Sequence, residues 1–230
     1  MKGIYIVGGY PNLNDFKKQI EIINNINIDF IEIGIPFNDP VADGPVIAKA
    51  INETVNHNYS VDEILEIAQQ TDKPFYIMTY ANIIYKYGAE KFSEKYGNVI
   101  KGLIIADLPN RLHKYFYNLG LKIPIIPFVT VETREEDFEL IKKLKGDFIY
   151  FIGTRGTTGV KVDFNSKLLK DRAIEIRNRL NKKFIIGFGI KNREDYMKVL
   201  EYADGFVIGT EIVKKQDNLR EFEIFLKSLF

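Results

Sequence analysis

Eight short runs of β-branched and aromatic residues recur along this chain, each separated from the next by a longer stretch with helical spacing. That alternation restricts the fold more than any other feature. The runs read as strands near Gly3–Val7, Phe30–Gly34, Phe75–Thr79, Leu103–Ala106, Ile123–Phe128, Phe148–Ile152, Phe184–Ile186 and Gly205–Ile208. They are apolar on both faces, the pattern of strands buried in a parallel sheet. Between them, Asn14–Asn25 places Phe16, Ile20, Ile23 and Ile26 on one helical face at steps of three and four. Asp62–Gln70 offers Ile64, Leu65, Ile67 and Ala68, and Arg134–Lys145 offers Phe138, Ile141 and Leu144. Thr133 reads as the N-cap of the latter, with Glu136 three residues on. Ser166–Leu180, Arg193–Tyr202 and Asn218–Leu229 complete the helical series. Two architectures accommodate such a chain, a doubly wound open sheet and a (β/α)8 barrel. Eight regular units, one per roughly 29 residues, together with glycine-rich turns late in the chain, favour the barrel. The expectation is a single TIM-barrel domain of parallel strands over residues 1–230.

Composition removes several functional classes. With 46% hydrophobic residues the chain can build a sizeable core. Thirty-two basic residues against thirty-one acidic ones leave a formal charge of +1, without the basic excess of a nucleic-acid binder. Zero cysteines exclude disulfides, thiolate catalysis and cysteine-ligated metals. The opening MKGIYIVGGY is too short an apolar run for a signal peptide, and no stretch approaches the ~20 apolar residues of a membrane span. A cytoplasmic enzyme or binding protein for a small molecule is the expectation.

In a barrel, function belongs at the C-terminal ends of the strands and in the loops that follow. The second strand runs into FIEIGIPFNDPVADGP, where Glu32 stands between Ile31 and Ile33 in a segment fit for burial. A carboxylate there either faces the barrel mouth or requires a strong partner. The loop adds Asp39 and Asp43, so Glu32 and Asp43 together suit a two-carboxylate site, a buried acid with a raised pKa being able to donate a proton near neutrality. The sixth strand leads to GTRGTTG, which is neither a dinucleotide fingerprint nor a P-loop. It reads either as a surface loop or as a lid whose amides reach an anion. Glycine after strand seven and Gly-Thr after strand eight form the arrangement of a barrel phosphate site, with the amides of Gly189, Gly209 and Thr210 converging. No lysine stands at a strand's C-terminal end for a Schiff base, since Lys101, Lys122 and Lys183 lie at the opposite ends. His57 and His113 lie in or beside helical segments, without a metal-spaced acidic cluster, and read as surface residues. Acid–base chemistry on a phosphorylated substrate, without a metal, is what remains.

The segment IEIGIPFNDPVADGP resembles the signature of the tryptophan synthase α chain family. Further matches follow in order: GGYP, TYAN, ADLP, Tyr150 through GTTG, GFGI and GTEIVK, so that the resemblance covers about residues 3 to 228. It implies a TIM barrel that cleaves indole-3-glycerol phosphate to indole and glyceraldehyde 3-phosphate, a retro-aldol lyase step of tryptophan biosynthesis. By the same resemblance, Glu32 is the catalytic glutamate, Asp43 accepts the indole N–H, and Tyr150 supports the glycerol moiety. Thr158 and Gly159 match lid residues, and Gly189, Gly209 and Thr210 match the phosphate cradle. Phe188, Tyr5, Tyr80 and Ala106 would line the indole pocket.

The chain departs from the family pattern in places. Asn38 stands where serine or threonine is common, the sixth loop reads GTRGTTG in place of SR-x-GVTG, and Thr210 replaces serine while keeping a hydroxyl. The chain begins at its first strand, without the leading helix of many relatives, so the barrel bottom is expected to be more open or closed by other side chains. The resemblance also implies a partner, the tryptophan synthase β chain, in an α2β2 tetramer; pyridoxal phosphate would belong to that partner, with no cofactor in this chain. Two other readings stay open on the residues alone. One is a different phosphate-binding barrel enzyme, of thiamine-phosphate synthase or phosphosugar isomerase type; the other is a weakly catalytic or inactive subunit whose main role is to bind and activate a β chain.

Overall fold

The computed structural model describes residues 1–153 and 162–230. In chain order the elements are β1 (Lys2–Val7), α1 (Leu13–Asn24), β2 (Phe30–Gly34), α2 (Pro45–Val55), α3 (Val61–Ala68), β3 (Phe75–Thr79), α4 (Ala81–Tyr87), α5 (Ala89–Tyr96) and β4 (Ile100–Ile105). A 3-10 turn (Asn110–Leu112) leads into α6 (His113–Asn118), followed by β5 (Phe128–Thr130), α7 (Glu135–Lys143), β6 (Ile149–Ile152), α8 (Lys167–Leu180), β7 (Phe184–Ile186), α9 (Arg193–Leu200), β8 (Gly205–Ile208), α10 (Thr210–Val213) and α11 (Leu219–Leu229). The eight strands form one sheet in the order β4-β3-β2-β1-β8-β7-β6-β5, every pairing parallel. A single bridge, Leu103 to Ile125, joins β4 to the segment before β5 and closes the barrel.

That seam is where the sequence reading and the structure differ most. The run Ile123–Phe128 holds Pro124 and Pro127, which have no N–H to give a ladder. Their carbonyls still accept, Pro124 from Leu103 N at 2.8 Å and Pro127 from Tyr150 N at 2.9 Å, so regular pairing begins only at Phe128. The Asn110 side chain substitutes for a neighbouring strand there, donating to Phe128 O at 2.7 Å and accepting from Phe128 N at 3.0 Å. Thr133 does not cap α7. Its hydroxyl accepts from Thr130 N at 2.8 Å, and the extended Arg134 precedes the helix without a side-chain cap. Ser166 does cap α8, and Asn12, Ser60, Asn192 and Asn218 cap α1, α3, α9 and α11.

Two apolar layers hold the barrel. The outer one packs the helices on the sheet and includes Phe16, Ile20 and Ile23 of α1, Phe138 and Ile141 of α7, and Phe222 and Leu226 of α11. The inner one fills the barrel itself. At its lower end Phe30, Tyr76 and Phe148 meet edge-on or tilted with ring centroids 5.0–5.8 Å apart, and Tyr76 donates to Asp147 Oδ2 at 3.0 Å. The barrel bottom is therefore closed by these side chains. A buried amide pair pins the upper end of β1: Gln216 accepts from Val7 N at 3.0 Å and donates to Val7 O at 2.7 Å, while Gln19 donates to Gln216 O at 2.7 Å. His113 is not a surface residue. It begins α6 fully buried, neither ring nitrogen has a hydrogen-bond partner, and burial pushes its pKa down to about 4. Among the described residues no helix is long and apolar enough to cross a membrane.

Candidate active site

Side chains on β2 alternate, so Phe30 and Glu32 both face inward, Phe30 onto the aromatic floor and Glu32 one layer above it. Glu32 is 0% exposed. Its Oε1 has no hydrogen-bond partner, and its Oε2 accepts only a long bond from Tyr150 Oη at 3.4 Å. Burial pushes the Glu32 carboxyl well above the usual carboxylate range, the Tyr150 hydroxyl pulling weakly the other way. Burial thus favours the protonated form of a carboxyl that lines the cleft and whose Oε1 has no partner.

Two glycines make room for the phenols around it. Tyr5 pairs with Glu32 in the β1–β2 register, and its hydroxyl lies over Gly34, where a Cβ would collide with it. The Tyr150 hydroxyl lies over Gly187 in the same way. Both phenols are pushed well above their ordinary pKa, first by burial and then by the nearby carboxylates, and stay protonated donors.

Asp43 comes from the loop after β2. The loop ends where Pro45 occupies the first turn of α2 behind Gly44. Tyr80, at the end of β3, donates its hydroxyl to Asp43 Oδ2 at 2.7 Å and accepts from Ala42 N at 3.1 Å, while its ring stacks on Phe37 at 4.9 Å. Burial lifts the Asp43 carboxyl above its ordinary value and the Tyr80 bond lowers it in part.

Glu32 and Asp43 line one cleft at the C-terminal end of the barrel. Tyr5, Ala106, Tyr150, Phe188, Gly189, Gly209 and Thr210 line it too, so the structure brings most of the expected residues together. Tyr80 is placed differently: it stands behind Asp43, fixing the carboxylate, and is not part of the cleft wall. Thr158 and Gly159 lie outside the described residues. Sequence reasoning missed Met78, Phe128, Ile152, Ile190, Lys191 and Glu211 in the lining. Strand parity was the available signal for two of them, Met78 sharing a face with Tyr76 and Ile152 with Tyr150. Gly189 adopts φ +79°, a turn that favours glycine, and Gly209 caps the short α10, its carbonyl accepting from Ile212 N at 2.9 Å and Val213 N at 3.0 Å. Among the described residues no group of three or more His, Cys, Asp or Glu side chains could hold a metal.

Comparison with known proteins decides the family. The sequence matches the family model described as tryptophan synthase alpha chain over residues 4–228. The chain belongs to the tryptophan synthase alpha chain family. The alpha chain of Thermotoga petrophila is 36% identical over 231 residues, covering 97% of this chain and 94% of its own length. That of Staphylococcus epidermidis is 37% identical over 237 residues, covering 98% and 94%. The solved tryptophan synthase subunit alpha of Campylobacter jejuni covers 100% of this chain and 95% of its own, with a TM-score of 0.85 at 33% identity. A structure of the Pyrococcus furiosus tryptophan synthase α2β2 complex has the same fold, with a TM-score of 0.85 at 24% identity. Tryptophan synthase alpha chains are lyases of tryptophan biosynthesis that cleave indole-3-glycerol phosphate.

Proposed function

We propose that this chain cleaves indole-3-glycerol phosphate with Glu32 as its acid–base group and Asp43 as the acceptor of the indole N–H. The observation that carries the assignment is Glu32 itself, a buried carboxyl without a partner for Oε1, facing the same cleft as Asp43. The carbon–carbon bond breaks only when the indole ring becomes an electron sink. A proton from neutral Glu32 reaches ring carbon 3, and positive charge develops at the ring nitrogen. Asp43, held by Tyr80, offsets that charge through the N–H. The glycerol hydroxyl on the adjacent carbon then returns a proton to the carboxylate left on Glu32. The bond between that carbon and ring carbon 3 breaks, its electron pair restoring the indole. One proton enters and one leaves, so Glu32 ends as it began. Tyr150 steadies the carboxylate and faces the glycerol portion. Phe188, Tyr5 and Ala106 flank the ring, and Gly189, Gly209 and Thr210 hold the phosphate.

The 230 residues act as one barrel domain in the cytoplasm. The partner is the tryptophan synthase β chain, which carries the pyridoxal phosphate and receives the indole. The test is release of indole from indole-3-glycerol phosphate by the purified chain, with and without a cognate β chain. Indole formation that rises when the β chain is added supports both the lyase and the partner. A folded chain that forms none in either condition overturns the assignment.

A further inference from the structure

On the reading that this cleft holds a phosphate ester, we propose that Lys191 is a further substrate-binding residue, supplying a full positive charge where the glycines supply only amides. Lys191 follows Gly189 and Ile190 in the turn after β7 and lines the cleft together with Gly189, Gly209 and Thr210. Its main-chain N–H is already engaged, donating to Asp195 Oδ2 at 2.9 Å in the first turn of α9. The donor that Lys191 has left to offer is therefore its side-chain ammonium.

The pairing of the neighbouring charges makes that side chain distinctive. Lys198 Nζ is bound to Glu194 at 2.7 Å and Lys214 Nζ to Glu211 at 2.8 Å. The Lys191 amine has no acidic partner among the described residues, and it is the one lysine or arginine among the described residues that line the cleft. Glu211 also lines the cleft and would repel a phosphate, but Lys214 offsets its charge. Lys191 is thus the unpaired cation among the described residues lining that end of the cleft. A phosphate ester carries roughly −1.5 to −2 at neutral pH, so an ammonium on a flexible stem complements it where partial charges on N–H groups do so incompletely. Because the side chain is exposed, the attraction is screened by salt.

The experiment is steady-state indole release by the wild type, Lys191→Met and Lys191→Arg over a range of indole-3-glycerol phosphate, at low and high ionic strength. Glycerol 3-phosphate serves as a competing probe. Lys191→Met is expected to raise KM and the inhibition constant of glycerol 3-phosphate about three- to fivefold, the upper range for an exposed ion pair. It should affect kcat less than twofold and flatten the salt dependence of KM, while Lys191→Arg restores both. A Met variant with wild-type KM and wild-type salt response overturns the role of Lys191 while leaving the lyase assignment standing. A wild type that forms no indole and binds no glycerol 3-phosphate overturns both.

Discussion

Replacing Glu32 by Gln exchanges a buried acid for a neutral side chain of nearly the same shape, and two effects of the exchange separate by pH. Burial raises the pKa of the Glu32 carboxyl in the fold and so favours its protonated form, with one long hydrogen bond at 3.4 Å and none to Oε1. In the unfolded chain it ionises in the ordinary carboxylate range. Its folded pKa is raised above its unfolded one, so its contribution to stability is fully present below the unfolded value and is lost as pH rises toward the folded value. The loss is about 1.4 kcal/mol for each pH unit in that window. For a chain of this size that is about 3–6 °C in Tm per pH unit. Gln cannot ionise and escapes the loss. The Gln amide does add buried donors, at about 1–3 kcal/mol if unpaired, but that penalty is the same at every pH. The quantity to follow is therefore the difference in Tm between Glu32→Gln and wild type from pH 4 to pH 8.5. It should move steadily in favour of the variant as pH rises above the ordinary carboxylate range, while indole release falls at least about 10²-fold. A Tm difference that stays flat across that range would refute the claim that Glu32 is held neutral by burial.

Four further perturbations follow from the geometry. Asp43→Asn should lower kcat at least about 10²-fold, and Tyr80→Phe, which removes only the hydroxyl holding Asp43, about tenfold; equal losses would mean that Tyr80 acts on substrate directly. Gly187→Ala should destabilise by about 1–3 kcal/mol in urea unfolding because its Cβ meets the Tyr150 hydroxyl, and adding Tyr150→Phe should recover most of that; strict additivity would show that the collision is elsewhere. His113 has a folded pKa of about 4, below its ordinary 6.5, so the wild type loses stability as pH falls through that window. Relative to His113→Leu, it should lose about 3 kcal/mol between pH 7 and pH 4 in urea unfolding, and parallel curves would place the ring in contact with water.

The barrel was legible because its strands are apolar on both faces, a signature independent of any motif. Phe30–Gly34, Phe75–Thr79, Phe184–Ile186 and Gly205–Ile208 are strands with those bounds. The failures have local causes. Ile123–Phe128 has strand composition, but Pro124 and Pro127 withhold two N–H groups, and the pairing passes to Asn110, a side chain that no periodicity marks. The short helices α4, α5 and α6 went unread because segments of six to eight residues leave little room for a 3.6-residue pattern. His113 was misplaced because a polar type was read as a surface type, whereas the α6 start buries it completely. In the site, Glu32 stood out as an acid in an apolar run, and Asp43 through its loop. Tyr80 was legible as a residue of the site but not in its role, because the hydroxyl's target lies on a different strand's loop. Lys191 left no trace because one exposed lysine in a turn resembles any other until the pairing of its neighbours is known.

The position of Glu32 also explains why the barrel is built in two chemically different halves. A carboxyl can serve as a neutral-pH acid only if water is kept from it on every side but the one where substrate enters. Phe30 lies two residues before Glu32 on β2, and Phe148, just ahead of β6, lies two before Tyr150, so Glu32 and Tyr150 each stand one layer above an aromatic ring of the floor. Tyr76 completes that floor, turning its hydroxyl outward to Asp147 so that no polar atom from it faces Glu32. Above the floor the packing rule reverses: Gly34 and Gly187 leave volume unfilled where a Cβ would displace the Tyr5 and Tyr150 hydroxyls. The aromatic layer thus does more than fill the barrel; it supplies the dry side of the environment that raises the Glu32 pKa, while the glycines keep the side facing the cleft open to substrate.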